Sequence, residues 1–226
     1  MNWSEQIDIY CERLGPGFWA EPLNAVTNAA FLAAALLLWP RSRGHRPAEL
    51  LCAILFVISI GSFLFHTFAT QWASLADTAP IGIFILVYLF LVHRQFLGLP
   101  LWGALLATAG FAPYAAIMVP VLDRLPFFAI SDFYWTVPLL LFVYALALRR
   151  RMPHVARGLA IGGAILSLSI TIRSLDMALC PAWPVGTHFL WHALNALMLG
   201  WMIHVWLGWR ARRPGPGRLA GAQAPG

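Results

Sequence analysis

The stretch ELLCAILFVISIGSFLFHTF, residues 49–68, decides the fold. It carries one formal charge, Glu49 at its start, and a helix that crosses a bilayer needs about 20 mostly apolar residues. In hydrocarbon every backbone N–H and C=O has to be satisfied inside the segment, so such a run is helical. Working outward, comparable apolar runs fall at 24–40, 77–93, 101–120, 131–148, 157–180 and 187–207. The expectation is an all-α integral membrane protein, a seven-transmembrane helix bundle. Composition agrees: of 226 residues 60% are hydrophobic and 11% charged, against about 45–50% and 25% in an ordinary soluble domain. The mean hydropathy is +0.72.

A net charge of +6 and a pI near 9.9 invite a nucleic-acid reading, but the arginine distribution explains them otherwise. Arg41, Arg43 and Arg46, then Arg94, then Arg149, Arg150, Arg151 and Arg157, and finally Arg210, Arg212, Arg213 and Arg218 all fall on one side of the seven runs. Only Arg13 and Arg124 fall on the other, and Arg173 lies within a run. The excess of basic residues in cytoplasmic loops then places the N-terminus outside and the C-terminus in the cytoplasm. The chain divides into an acidic outer N-terminal segment (1–23), a seven-helix body (24–209) and a Gly/Pro/Ala-rich tail (210–226) expected to be disordered. The first 23 residues carry Glu5, Asp8, Glu12 and Glu21, unlike the basic opening of a signal peptide.

All 15 basic residues are arginine, which excludes lysine chemistry such as a retinal or pyridoxal Schiff base. Three cysteines, Cys11, Cys52 and Cys180, without CxxC spacing, are too few for a disulfide scaffold.

Ionisable groups inside spans are costly and therefore candidates for function. Ser62 and His66 lie one turn apart near the outer end of the second span, Asp77 opens the third, and His188 and His192 lie one turn apart at the outer start of the seventh. Residues four apart project from one helix face, so His188 and His192 can offer two nitrogens to one metal while His66 approaches from another helix. Three histidines make an open zinc site, which acidifies water and polarises a carbonyl, chemistry suited to amide or ester hydrolysis. Asp77 is the candidate proton acceptor or the group that orients a ligand histidine, and Ser62 the candidate oxyanion donor or partner of the metal-bound water. His45, His93, His154 and His204 sit at cytoplasmic loops or helix ends and read as solvated or interfacial. Asn24 and Asn28 are expected to bond across helices near the site. Arg173 and Asp176, three apart, read as an internal ion pair; the alternatives are a headgroup contact for Arg173 and an N-terminal-segment contact for Asp176.

The pattern SxxxH, Asp, HxxxH resembles that of the alkaline ceramidases, within the superfamily that includes adiponectin receptors and hemolysin-III-like proteins. The stretches that carry the resemblance are GSFLFHTFATQWASLADTAPI (61–81), HFLWH (188–192) and, at the N-terminus, CER (11–13) with FWAEPLNAVTN (18–28). The resemblance implies zinc on His66, His188 and His192, with Ser62 and Asp77 assisting hydrolysis of the amide bond of a ceramide-like membrane lipid. It further implies a calcium ion beside the first helix, for which Asp8, Glu12 and Glu21 are the candidate ligands. There the chain departs from the family pattern, with Ile9 in place of an aspartate and Leu14 in place of an asparagine. Cys11 and Cys180 both fall on the outer side, and the resemblance points to a disulfide between them; the other reading is two unrelated buried thiols. No nucleic-acid or obligate protein partner is expected, and the active site is expected to face the extracytoplasmic side. The rival functional reading is a metal-containing lipid sensor of the adiponectin-receptor type without turnover.

Overall fold

The computed structural model describes residues 2–213 and is all-helical apart from one isolated bridge. Six helices are long and apolar enough to cross a membrane: α1 (Pro22–Ser42), α2 (Arg46–Phe68), α3 (Gln71–Phe96), α4 (Leu101–Asp123), α6 (Pro153–Ser174) and α7 (His188–Ala211). The seventh, α5 (Asp132–Leu148), is apolar but shorter. Each helix packs on the next in chain order, and α7 returns to pack on α1, so the bundle closes into a ring. Large apolar side chains such as Leu37, Trp102, Leu106 and Ile117 are exposed on its outside, as they are when lipid is the solvent. The chain is a multi-pass membrane protein.

Several boundaries move from the apolar-run reading, each for a local reason. Ala69 takes a left-handed conformation that ends α2, and Thr70 then starts α3 at Gln71. Asp77 therefore lies in the second turn of α3 and does not open it. The sixth span ends at Ser174, and Asp176–Leu179 forms a separate short turn of helix. α7 runs through Ala211, so the start of the expected tail is helical, and residues 214–226 lie outside the described residues. His93 is buried and bridges helices: its Nδ1 lies 3.0 Å from the Thr108 hydroxyl on α4 and its Nε2 2.7 Å from the Tyr144 hydroxyl on α5. That corrects the solvated or interfacial reading for this histidine.

The N-terminal segment is laid across one end of the ring. The Ile7 amide donates to Ala69 O (2.7 Å) and the Gln71 amide to Glu5 O (3.1 Å), which ties the segment to the α2–α3 corner. A Cys11–Cys180 disulfide fastens the same segment to the turn that follows α6.

α2 and α3 meet at Gly61. A Cβ built there would lie 2.0 Å from the carbonyl oxygen of Ala76, and backbone has little room to give. Because Gly61 precedes Ser62 and Ala76 precedes Asp77, this contact sets the approach of those two side chains. Gly61→Ala is expected to destabilise the bundle by about 1–3 kcal/mol through overpacking, read as a fall in the thermal unfolding midpoint in detergent. An unchanged midpoint would show that the two helices can separate freely.

Candidate metal centre

His66 comes from the last turn of α2; His188 and His192 come from the first two turns of α7. All three are buried, their ring centroids are 4.7–5.0 Å apart, and one ring nitrogen of each lies within 4.8 Å of the others. What holds each ring determines which nitrogen is free. Glu21 lies just before α1, and its Oε2 accepts from His66 Nδ1 at 2.6 Å. Thr27 on α1 donates its hydroxyl proton to a backbone carbonyl of the preceding turn, so its oxygen accepts from His192 Nδ1 at 2.9 Å. Each ring then keeps its Nε2 lone pair unused, and both Nε2 atoms are buried without a partner. His188 Nδ1 is likewise buried and unpartnered. Buried polar nitrogens are normally satisfied. Three that converge without a hydrogen-bond partner fit a metal ion, with Glu21 and Thr27 orienting two of the ligands.

The opening of α7 is set from outside the helix. Asp176 Oδ1 accepts from the backbone amides of Thr187 (2.6 Å) and His188 (2.9 Å), and its Oδ2 accepts from Cys11 N at 2.9 Å. One carboxylate thus starts the helix that carries two of the histidines and also anchors the N-terminal segment. Asp176 makes no ion pair with Arg173 among the described residues. The helical spacing that would pair them is broken between Ser174 and Asp176, and of the open readings the N-terminal contact is the observed one. Arg173 instead donates to Ser131 Oγ (2.7 Å) and to the Tyr10 hydroxyl (3.3 Å), and its guanidinium faces the Tyr10, Tyr134 and Trp191 rings.

Ser62 is buried, and Asp77, which follows the Ala76 carbonyl that meets Gly61, has its Oδ1 buried and unpartnered. Asn24 and Asn28 do not bond across helices through their side chains. Asn24 Nδ2 donates to Glu21 (3.0 Å) and Asn28 Nδ2 to Asn24 O (2.9 Å); the cross-helix bond is from Ser59 Oγ to the Asn28 backbone carbonyl (2.9 Å).

Asp8, Glu12 and Glu21 are not gathered into one oxygen cluster. Asp8 is exposed. Glu12 spends its two oxygens on the Leu23 and Asn24 amides at the start of α1 (2.7 and 2.8 Å). Glu21 faces a guanidinium: Arg13 Nε lies 2.5 Å from Glu21 Oε1, and the same side chain donates to Gly15 O (2.9 Å) and to His66 O (3.1 Å). Burial works against ionisation of Glu21, yet the hydrogen bonds from His66, Asn24 and Arg13 outweigh it and hold its carboxyl below the usual range.

Sequence reasoning missed Arg13, Thr27 and Tyr10. Tyr10 stacks on His188 with ring centroids 3.7 Å apart and closes the cluster on that side. The sequence signal for Arg13 was its position as the one basic residue in an acidic segment.

Fold and site together define an all-helical, multi-pass membrane protein with a buried three-histidine cluster at one end of the bundle. The Ceramidase family model matches residues 10–211, and the chain belongs to that family. No match is found among curated proteins or among solved structures. Family membership implies an amidase acting on a ceramide-like lipid.

Proposed function

We propose that the protein is a zinc-dependent intramembrane amidase that hydrolyses the N-acyl bond of ceramide or a ceramide-like lipid to a fatty acid and a lipid amine. The observation that carries this reading is the convergence of three buried histidines with unpartnered nitrogens, and the buried, unpartnered Asp77 Oδ1 is the candidate base. Zinc held by His66, His188 and His192 supplies a Lewis acid for the scissile carbonyl and acidifies water. Asp77 Oδ1 takes the proton from the attacking water and delivers it to the leaving amine nitrogen. Ser62 Oγ donates to the carbonyl oxygen as negative charge builds there. Glu21 and Thr27 keep the His66 and His192 rings in register, and Tyr10 shields the His188 face from water.

The arginine distribution supports an extracytoplasmic active site with the N-terminus outside. The Cys11–Cys180 pair lies at the same end of the bundle, where an oxidising compartment would maintain it.

The test combines metal analysis of the detergent-purified protein with fatty-acid release from ceramides, dihydroceramides and other N-acyl lipids. One zinc per chain with release of a fatty acid supports the proposal; zinc without turnover on any lipid favours the sensor reading, and absence of zinc overturns both. Ser62→Ala is expected to lower kcat by about 100-fold, as loss of an oxyanion donor does, with metal content unchanged. Equal turnover by that variant would remove Ser62 from the reaction.

A further inference from the structure

At the end of the bundle opposite the histidines, the arginines do more than mark a membrane side. Arg46 at the start of α2, Arg94 near the end of α3, and Arg210 and Arg213 at the end of α7 line one pocket of about 450 Å³ with Trp206 and Trp209. Both indoles are buried; the Trp206 N–H donates to Gln95 Oε1 at 2.8 Å, and Arg213 lies over the Trp209 ring. None of the four arginines makes an ion pair among the described residues, and no carboxylate is among the residues that line the pocket. Four guanidinium groups without a carboxylate partner around one concavity, of which Arg94 donates one N–H to Leu99 O (3.0 Å), favour an anion, and their planar donors suit phosphate.

A second feature says what kind of anion. Arg46 and Pro47 also line an adjoining groove of about 600 Å³ whose other walls are nearly all apolar, including Leu50, Val87, Phe90 and Leu105 from α2, α3 and α4. A guanidinium pocket that runs directly into an apolar groove on a transmembrane surface has the two chemistries of a lipid in series. A soluble anion would use only the first.

We propose that this is a binding site for an anionic glycerophospholipid, with its phosphate among Arg46, Arg94, Arg210 and Arg213 and one acyl chain along the groove. The twenty helical steps from Arg46 to His66 place it about 30 Å from the histidines, so it is separate from the substrate position. Basic pockets between helices at the arginine-rich side of a membrane protein are suited to this class of headgroup.

The experiment is native mass spectrometry of the delipidated full chain in mild detergent, titrated with phosphatidylglycerol, with phosphatidylcholine of the same acyl chains, and with inorganic phosphate. Phosphatidylglycerol should bind in preference to phosphatidylcholine, and each arginine removed should weaken it about five-fold. Arg46→Gln and Arg210→Gln/Arg213→Gln attack opposite walls of the pocket, so if one variant fails to fold the other still decides. Helical circular dichroism matching the wild type reports that a variant is folded. Leu105→Trp, which fills the groove, should weaken phosphatidylglycerol and leave inorganic phosphate unaffected. Equal binding of the two lipids, or unweakened binding by a folded arginine variant, overturns the proposal. Competition by inorganic phosphate at concentrations comparable to the lipid also overturns it, because the groove would then contribute nothing.

Discussion

His188→Ala is expected to lower metal affinity by more than about 100-fold and to bring amide hydrolysis to background while the bundle stays folded. The lower bound follows from the 10–100-fold cost of removing a group that only orients a ligand; removing the ligand itself costs more. The fold should survive because what starts α7 is Asp176 accepting the Thr187 and His188 backbone amides, and alanine keeps both amides. The side chain lost is a buried ring stacked on Tyr10, with no hydrogen-bond partner on its Nδ1. His204→Ala serves as the control, since that residue is exposed, lies against Trp201 on the same helix and is three turns from the cluster. Metal content, helical circular dichroism and fatty-acid release are measured on both. A His188→Ala protein that turns over at the wild-type rate would refute the three-histidine assignment. Treating the wild type with a zinc chelator should reproduce the loss, and added zinc should reverse it.

The helical body and the histidine cluster were legible because both depend on short-range regularities. Apolar runs long enough to span a bilayer appear residue by residue, and HxxxH fixes two imidazoles on one face without any knowledge of the rest of the chain. The clasp around the cluster was not legible, because it joins residues far apart in sequence. Asp176 reaches Cys11 across 165 positions and Thr27 reaches His192 across the same separation, and no periodicity encodes either contact. The Arg173–Asp176 pairing failed for a different reason. It assumed an unbroken helix, and α6 ends between the two. Glu21 was read only as a candidate calcium ligand, because composition shows a carboxylate and cannot show that a buried guanidinium and the His66 ring face it.

That pair sets the second large effect. Glu21→Ala should destabilise the protein by about 3–5 kcal/mol, the range for breaking a buried ion pair by deleting one member, and weaken metal binding by about 10–100-fold. The two effects have separate origins. The first comes from Arg13, whose side chain is 2% exposed and would keep its charge without its carboxylate. The second comes from His66, which would lose the acceptor that holds its Nδ1 proton and its ring orientation. Arg13→Met with Glu21→Gln separates them: with no guanidinium left uncompensated, stability should recover most of its loss, because an apolar replacement of a buried charge is often neutral. The glutamine carbonyl can still accept from His66 Nδ1, so metal affinity should fall by less than in Glu21→Ala. Thermal unfolding in detergent reports the first quantity and competition with a zinc chelator the second. If Glu21→Ala loses stability and keeps its full metal affinity, Glu21 serves only to neutralise Arg13, and the His66 ring is held by packing against Tyr10 and Phe65. If both quantities fall together and the double variant restores only stability, the carboxylate has two tasks, and the N-terminal segment is part of the metal centre as well as its cover.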